Sequence, residues 1–135
     1  MKIAALDIGL KRIGVAYSPD GKMVFPQNAL IRRGRREAAR KLSALLKELG
    51  IDTVVVGIPR GGSSEEEMER RIRHFVSLLE LDESVRLFYE DEAGSSAEAK
   101  ELMRGEVKQK RDGRIDSIAA GIVLQRWLDR NRVLQ

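Results

Sequence analysis

The sequence predicts an α/β fold: a mixed five-stranded sheet, with a three-strand antiparallel meander and two parallel strands, flanked by helices. Three observations carry this prediction. Apolar runs at 3–8 and 13–18 are followed by a third extended stretch, with a turn signal at Pro19-Asp20-Gly21. After Gly34 the pattern changes to helical spacing that alternates with short strand-like runs. Meandering strands followed by β-α units imply a sheet antiparallel on one side and parallel on the other.

The elements follow in order. Residues 3–8 and 13–18 read as the first two strands, and 22–31 as the third, with Pro26 near an irregularity. Ala38, Leu42, Leu45, Leu46 and Leu49 recur at helical spacing, and Gly50 ends that helix. Thr53-Val54-Val55-Val56 suits a central parallel strand. Residues 57–64 form a glycine- and serine-rich loop, in which Ser63 or Ser64 with Glu66 or Glu67 can make a capping box. The next helix places Met68, Ile72, Phe75, Val76 and Leu79 on one face. Val85 to Tyr89 is the last strand, running into Glu90-Asp91-Glu92. Ser95 and Glu98 suggest a second capping box, opening a helix to about Arg104. Residues 105–113 are polar and basic and read as a mobile loop. A final helix covers about Ile115 to Arg130. No linker or internal repeat divides the chain, so residues 1–135 are expected to form one domain.

Composition narrows the function. No apolar run approaches the ~20 residues of a membrane span. No cationic segment followed by an apolar stretch marks the N-terminus for secretion, so a cytoplasmic location is expected. With no cysteine there is neither a disulfide nor a thiolate metal site. The net charge of +4 is concentrated in two clusters, Arg32-Arg33 with Arg35-Arg36, and Lys108-Lys110-Arg111 with Arg114. Such clusters favour a polyanionic partner. Aromatic residues make up only 4%, which argues for phosphate contacts rather than base stacking.

The candidate chemistry lies in carboxylates. Asp7 follows four apolar residues, Ile3 to Leu6, and precedes Gly9 by two positions. A carboxylate at the end of a buried strand is costly unless it is paired, and a divalent cation is one natural partner. Parallel strand ends share one sheet edge, where ligands of such sheets bind. Asp7, one of the Asp91/Glu92 pair, and Asp116 in the first turn of the last helix can therefore converge. Ser117, Ala119, Ala120 and Gly121 would let that helix approach the sheet closely. Three carboxylates suit Mg²⁺ or Mn²⁺ and phosphodiester hydrolysis. Each has a plainer role: Asp116 can favour its helix N-terminus, and Asp91 and Glu92 can be a solvated strand end. His74, the single histidine, reads as a surface residue, and Trp127 as packing. No histidine base accompanies the serines, and Gly61-Gly62-Ser63 lacks the lysine of a P-loop.

Four segments together resemble the RuvX/YqgF family of Holliday junction resolvases and pre-16S rRNA nucleases, in the ribonuclease H-like superfamily. They are Leu6-Asp7-Ile8-Gly9 with Lys11 to Ala16; Val55-Val56-Gly57-Ile58-Pro59; Asp91-Glu92 with Ser95 to Ala99; and Ile115 to Ala120 with Leu124-Gln125 and Leu128-Asp129. The resemblance implies a ribonuclease H-like nuclease whose acidic triad is Asp7, Glu92 and Asp116, holding Mg²⁺ or Mn²⁺. It implies structured nucleic acid as partner, either branched DNA or precursor ribosomal RNA. A resolvase cutting two strands symmetrically would also call for a homodimer. Lys11, Arg12, Arg60, Lys108, Lys110 and Arg111 are the expected phosphate contacts. The chain departs from the family pattern after Asp91-Glu92, where Ala93-Gly94-Ser95-Ser96 replaces arginine, leucine and two threonines. Arg60 stands where the family tends to be apolar. Two rivals remain: a non-catalytic binder of structured nucleic acid, and a fragment of an actin-like ATPase or kinase. A chain of 135 residues leaves no room for the two domains the last one needs.

Overall fold

A computed structural model describes residues 1–60, 63–102 and 114–131. Six strands form one sheet: β1 (Ile3–Ile8), β2 (Arg12–Ser18), β3 (Phe25–Pro26), β4 (Leu30–Ile31), β5 (Thr53–Ile58) and β6 (Arg86–Asp91). The helices are α1 (Arg35–Glu48), α2 (Ser63–Ser77), α3 (Ser95–Leu102) and α4 (Arg114–Asn131). The strand order is β3-β2-β1-β5-β6, with β4 also on β2. β2 runs antiparallel to β1, while β5 and β6 run parallel to it and to each other. The mixed sheet read from the sequence is therefore present, with one difference in its outer strand.

The stretch 22–31 is two short strands rather than one. Ala16 pairs with Pro26, and Ile13 pairs with Leu30. Residues 27–29 thus face only Gly14 and Val15, which is a β-bulge with one extra residue. Proline donates no N–H, so an edge position beside a bulge suits Pro26. The bulge leaves the Val15 N–H without a strand partner, and Ser117 Oγ of α4 accepts it at 3.3 Å.

Strand periodicity sorts the core. Ala4, Leu6, Ile8, Val54 and Val56 face one side, packed with Leu42 and Leu46 of α1 and Ile72, Phe75 and Val76 of α2. Ile3, Ala5, Ala16 and Val55 face the other, packed with Ala120, Val123, Leu124, Trp127 and Leu128 of α4. Trp127 is buried, its ring 5.2 Å from that of Phe88. Burying such aromatic and aliphatic side chains stabilises by ~1.5–3 kcal/mol each. The helix ends follow local chemistry. Gly50, at φ 68°, closes α1, with Gly50 N–H on the Lys47 carbonyl and Ile51 N–H on that of Leu46. Gly94, at φ 75°, turns the chain into α3. Ser95 is therefore the first helical residue and not the cap expected of it.

Candidate active site at the carboxyl edge of β1

Side-chain alternation decides which acids meet. Asp7 follows Ile3 and Ala5 on the α4 side of β1. On β6, Phe88 packs in the α4-side cluster, so Glu90 and Glu92 share that side and Asp91 points away. The Asp91 carboxylate instead accepts the Ala93 N–H at 2.9 Å, closing the β6–α3 turn. The sequence left Asp91 and Glu92 as alternatives; the geometry brings Glu92 to Asp7.

Two glycines make room for these acids. Gly14 of β2 pairs directly with Asp7. A Cβ on Gly14 would lie 2.0 Å from the Asp116 carbonyl oxygen, so the first turn of α4 rests on this position. A Cβ on Gly57 would lie 3.0 Å from Glu92 Oε2. Besides the small residues of α4 that the sequence pointed to, two glycines of the sheet thus serve two distinct approaches, helix to sheet at Gly14 and carboxyl to sheet at Gly57.

Half-buried Asp7 and Glu92 share a hydrogen bond. Burial, the Asp7 charge beside it, their hydrogen bond and the nearby Asp91 push the Glu92 carboxyl up to about 8. Glu92 therefore holds the proton and donates it to Asp7. Burial also raises Asp7; the bond from Glu92 opposes that rise and the charge of Asp116 adds to it. Asp116 is turned toward Arg12, whose Nε lies 3.2 Å from its Oδ2. Among the described residues, no three acidic or histidine side chains stand as a ready-made metal cage. The crowding of Asp7, Glu92 and Asp116 is nonetheless an excess of negative charge with an all-oxygen donor set. That chemistry fits a hard divalent cation.

Asp7 and Glu92 line a cleft of about 240 Å³, together with Pro59, Arg60 and the start of α3 at Ser95 and Ser96. Of the expected phosphate contacts, Arg60 lines this cleft. Lys11 is exposed in the β1–β2 turn, and Arg12 is bound to Asp116. Lys108, Lys110 and Arg111 lie outside the described residues.

Four residues support the site in ways the sequence reading did not assign. Arg126 of α4 donates to the Ala93 carbonyl at 2.9 Å and to that of Asp91 at 3.3 Å, bracketing Glu92. Ser117 ties α4 to the β2 bulge. Glu90, buried on the same face as Glu92, is neutralised by Arg130. No local pattern signals Arg126 or Arg130, whose partners lie 28 to 40 positions away. Ser117 was legible only as a small residue beside Asp116.

Solved structures share this architecture. The fowlpox virus Holliday junction resolvase superimposes with a TM-score of 0.61 at 14% identity, over 96% of this chain and 99% of that one. Thermus thermophilus RuvC in complex with a Holliday junction substrate gives 0.58 at 12% identity, over 96% of each. Sequence relatives are nearer. A Sulfurovum sp. protein named "Putative pre-16S rRNA nuclease" is 58% identical over 128 residues, covering 95% of this chain and 98% of its own. A protein of the same name from Sulfurimonas denitrificans is 54% identical, covering 95% and 97%. The family model described as RuvX, Holliday junction resolvase, matches residues 1–130. The chain belongs to the RuvX family.

Proposed function

We propose that this protein is a nuclease that hydrolyses phosphodiesters in structured nucleic acid, with Asp7, Glu92 and Asp116 as the carboxylates that hold Mg²⁺ or Mn²⁺. One observation carries the reading: the Asp7 and Glu92 carboxyls are hydrogen-bonded to each other in the lining of one cleft, with the charge of Asp116 beside Asp7. Such a group is short of positive charge, and a divalent ion would take the place of the shared proton. When bound, the ion supplies charge neutralisation at the phosphodiester and acidifies the attacking water. The chain's own residues do the rest. Gly14 and Gly57 allow the acids to approach the sheet, Arg126 fixes the turn that carries Glu92, and Arg60 meets phosphate at the cleft rim. Arg12, whose guanidinium pairs with Asp116, adds positive charge beside the acids.

Names of relatives favour precursor 16S rRNA as substrate, since they attach to chains above 50% identity. The resolvase structures share only 12–14% identity and support the fold. We place the reaction in the cytoplasm; no described helix is long and apolar enough to cross a membrane. Cleavage of a four-way junction would require two copies of the chain, whereas trimming an RNA end would not. The deciding experiment is cleavage profiling on a panel of four-way junctions, precursor 16S rRNA ends and linear duplexes. A metal-dependent product from the rRNA end supports the reading. Salt-sensitive binding with no product from any member would favour the non-catalytic binder instead.

A further inference from the structure

The first arginine cluster is not part of the carboxylate cleft. Its members Arg32 and Arg35 line a separate one, of about 500 Å³, between α1 and α2 on the opposite face of the sheet. Arg32, Arg35, Arg70 and Arg71 line it with His74 and a single carboxylate, Glu67. Glu67 is already bonded to Arg71 at 2.9 Å. Arg35 and Arg70 form no ion pair among the described residues, and both are exposed. Three guanidinium groups therefore face one opening with no acid to balance them.

The arrangement is also pre-set. Arg32 lies over the Phe75 ring at 4.8 Å and donates through Nη1 to the Gly9 carbonyl at 3.0 Å. Its remaining N–H groups are held in a fixed fork, the geometry that suits phosphate. Burial and the nearby Arg35 charge both lower the Arg32 pKa, so the two cations are held together against their repulsion. Arg35 and Arg36 also stand at the positive end of α1, where acidic residues are the stabilising choice. The repulsion between Arg32 and Arg35 and the cations at the start of α1 are unfavourable in the free protein and are relieved when an anion binds.

We propose that this cleft grips the phosphate backbone flanking the cleaved position, as a second contact zone beyond the carboxylate site. The proposal rests on the reading of the chain as a nuclease and names where its substrate lies. Leu10 of the β1–β2 turn lines the cleft, and Asp7 is three positions away. Both sites thus open at one edge of the sheet, on its two faces. A duplex carries roughly six phosphate charges per 10 Å of axis, so a helix laid across that edge reaches both. With no Phe, Tyr or Trp lining the cleft, and His74 its one ring, the contact is to phosphate rather than to a run of stacked bases.

The test is equilibrium binding in EDTA, where no cleavage competes. Fluorescence anisotropy is measured for a labelled precursor 16S rRNA end and a four-way junction across a salt series. Arg35→Gln/Arg70→Gln is compared with wild type and with Lys22→Gln/Lys47→Gln, which removes equal charge near the opposite sheet edge. The expected result is a ~10-fold or greater loss of affinity for the arginine variant, and a salt slope smaller by about two, one per lost phosphate contact. Arg70→Gln alone should reduce the slope by about one. Circular dichroism melting verifies that each variant is folded. Equal loss in the lysine control, or no loss in the arginine variant, overturns the second zone while leaving the nuclease reading intact. Absence of binding by wild type also overturns the second zone, while the nuclease reading is decided separately by the cleavage panel with Mg²⁺.

Discussion

Replacing Gly14 with alanine should damage the site from the backbone side. Gly14 is not in the left-handed region, so conformation is not the obstacle; space is. The new methyl would sit 2.0 Å from the Asp116 carbonyl oxygen, 2.2 Å from its carbonyl carbon and 2.8 Å from the Ser117 nitrogen. These are backbone atoms that cannot swing aside. Ordinary contact begins at 3.4 Å, so the first turn of α4 must retreat by about 1.4 Å. Overpacking of this kind costs ~1–3 kcal/mol. The retreat would also stretch the 3.3 Å bond from Val15 to Ser117 and carry Asp116 away from Asp7. A misplacement of about 1 Å in a catalytic group can lower the rate ~100-fold. Urea denaturation should therefore show the stability loss, and cleavage of precursor rRNA should fall about a hundredfold in the folded variant. Gly57→Ala is the comparison: its methyl meets side chains and not backbone, Glu92 Oε2 at 3.0 Å, Glu92 Cβ at 3.2 Å and Val123 Cγ2 at 3.3 Å, so stability should suffer less than in Gly14→Ala while displacement of Glu92 lowers activity. Wild-type stability and cleavage in Gly14→Ala would refute the placement of Asp116 against this strand.

Other outcomes follow from the same geometry. The Glu92 carboxyl rises from 4.5 to about 8 on folding, so between those values the folded chain holds more protons than the unfolded one. Its contribution must then weaken stability as pH rises from about 4.5 to about 8. Glu92→Gln should flatten that trend in urea midpoints measured at pH 5 and pH 8.5; an identical trend in both proteins would contradict the shared proton. Arg126→Ala removes two bonds to the turn around Glu92, at a cost of ~1 kcal/mol, and should reduce cleavage. Arg126→Lys cannot serve both carbonyls equally and should restore only part of the activity, as read from cleavage time courses. Trp127→Ala should cost ~3–5 kcal/mol in denaturant unfolding, because the ring is buried against Phe88. A stable variant with lost nucleic-acid affinity would instead make Trp127 a contact residue.

Asp7 was legible because four apolar residues precede it on a strand and a carboxylate there needs a counter-charge. Asp116 was legible because small residues follow it on a helix. The choice of Glu92 over Asp91 was not readable alone. Alternation says only that the two point oppositely; the packing of Phe88 against Trp127 says which side is which. The bulge at 27–29 left little trace beyond Pro26, since an extra residue shifts pairing without altering composition. The capping box at Ser95 failed because Gly94 takes a positive φ and starts the helix one residue earlier. Arg126 and Arg130 act across the fold, and sequence distance hides such pairs. The arginines after Leu30 were visible as a cluster, but only folding shows that two of them, Arg32 and Arg35, share a cleft with α2 rather than with the acids.

The most direct test of the account is cleavage of a precursor 16S rRNA end by wild type and Asp7→Asn, with Mg²⁺ and with EDTA. Asp7→Asn is nearly isosteric, and its folding is verified by melting. The account predicts product only from wild type with Mg²⁺. Undiminished cleavage by folded Asp7→Asn, or by wild type in EDTA, would contradict a metal site built on Asp7.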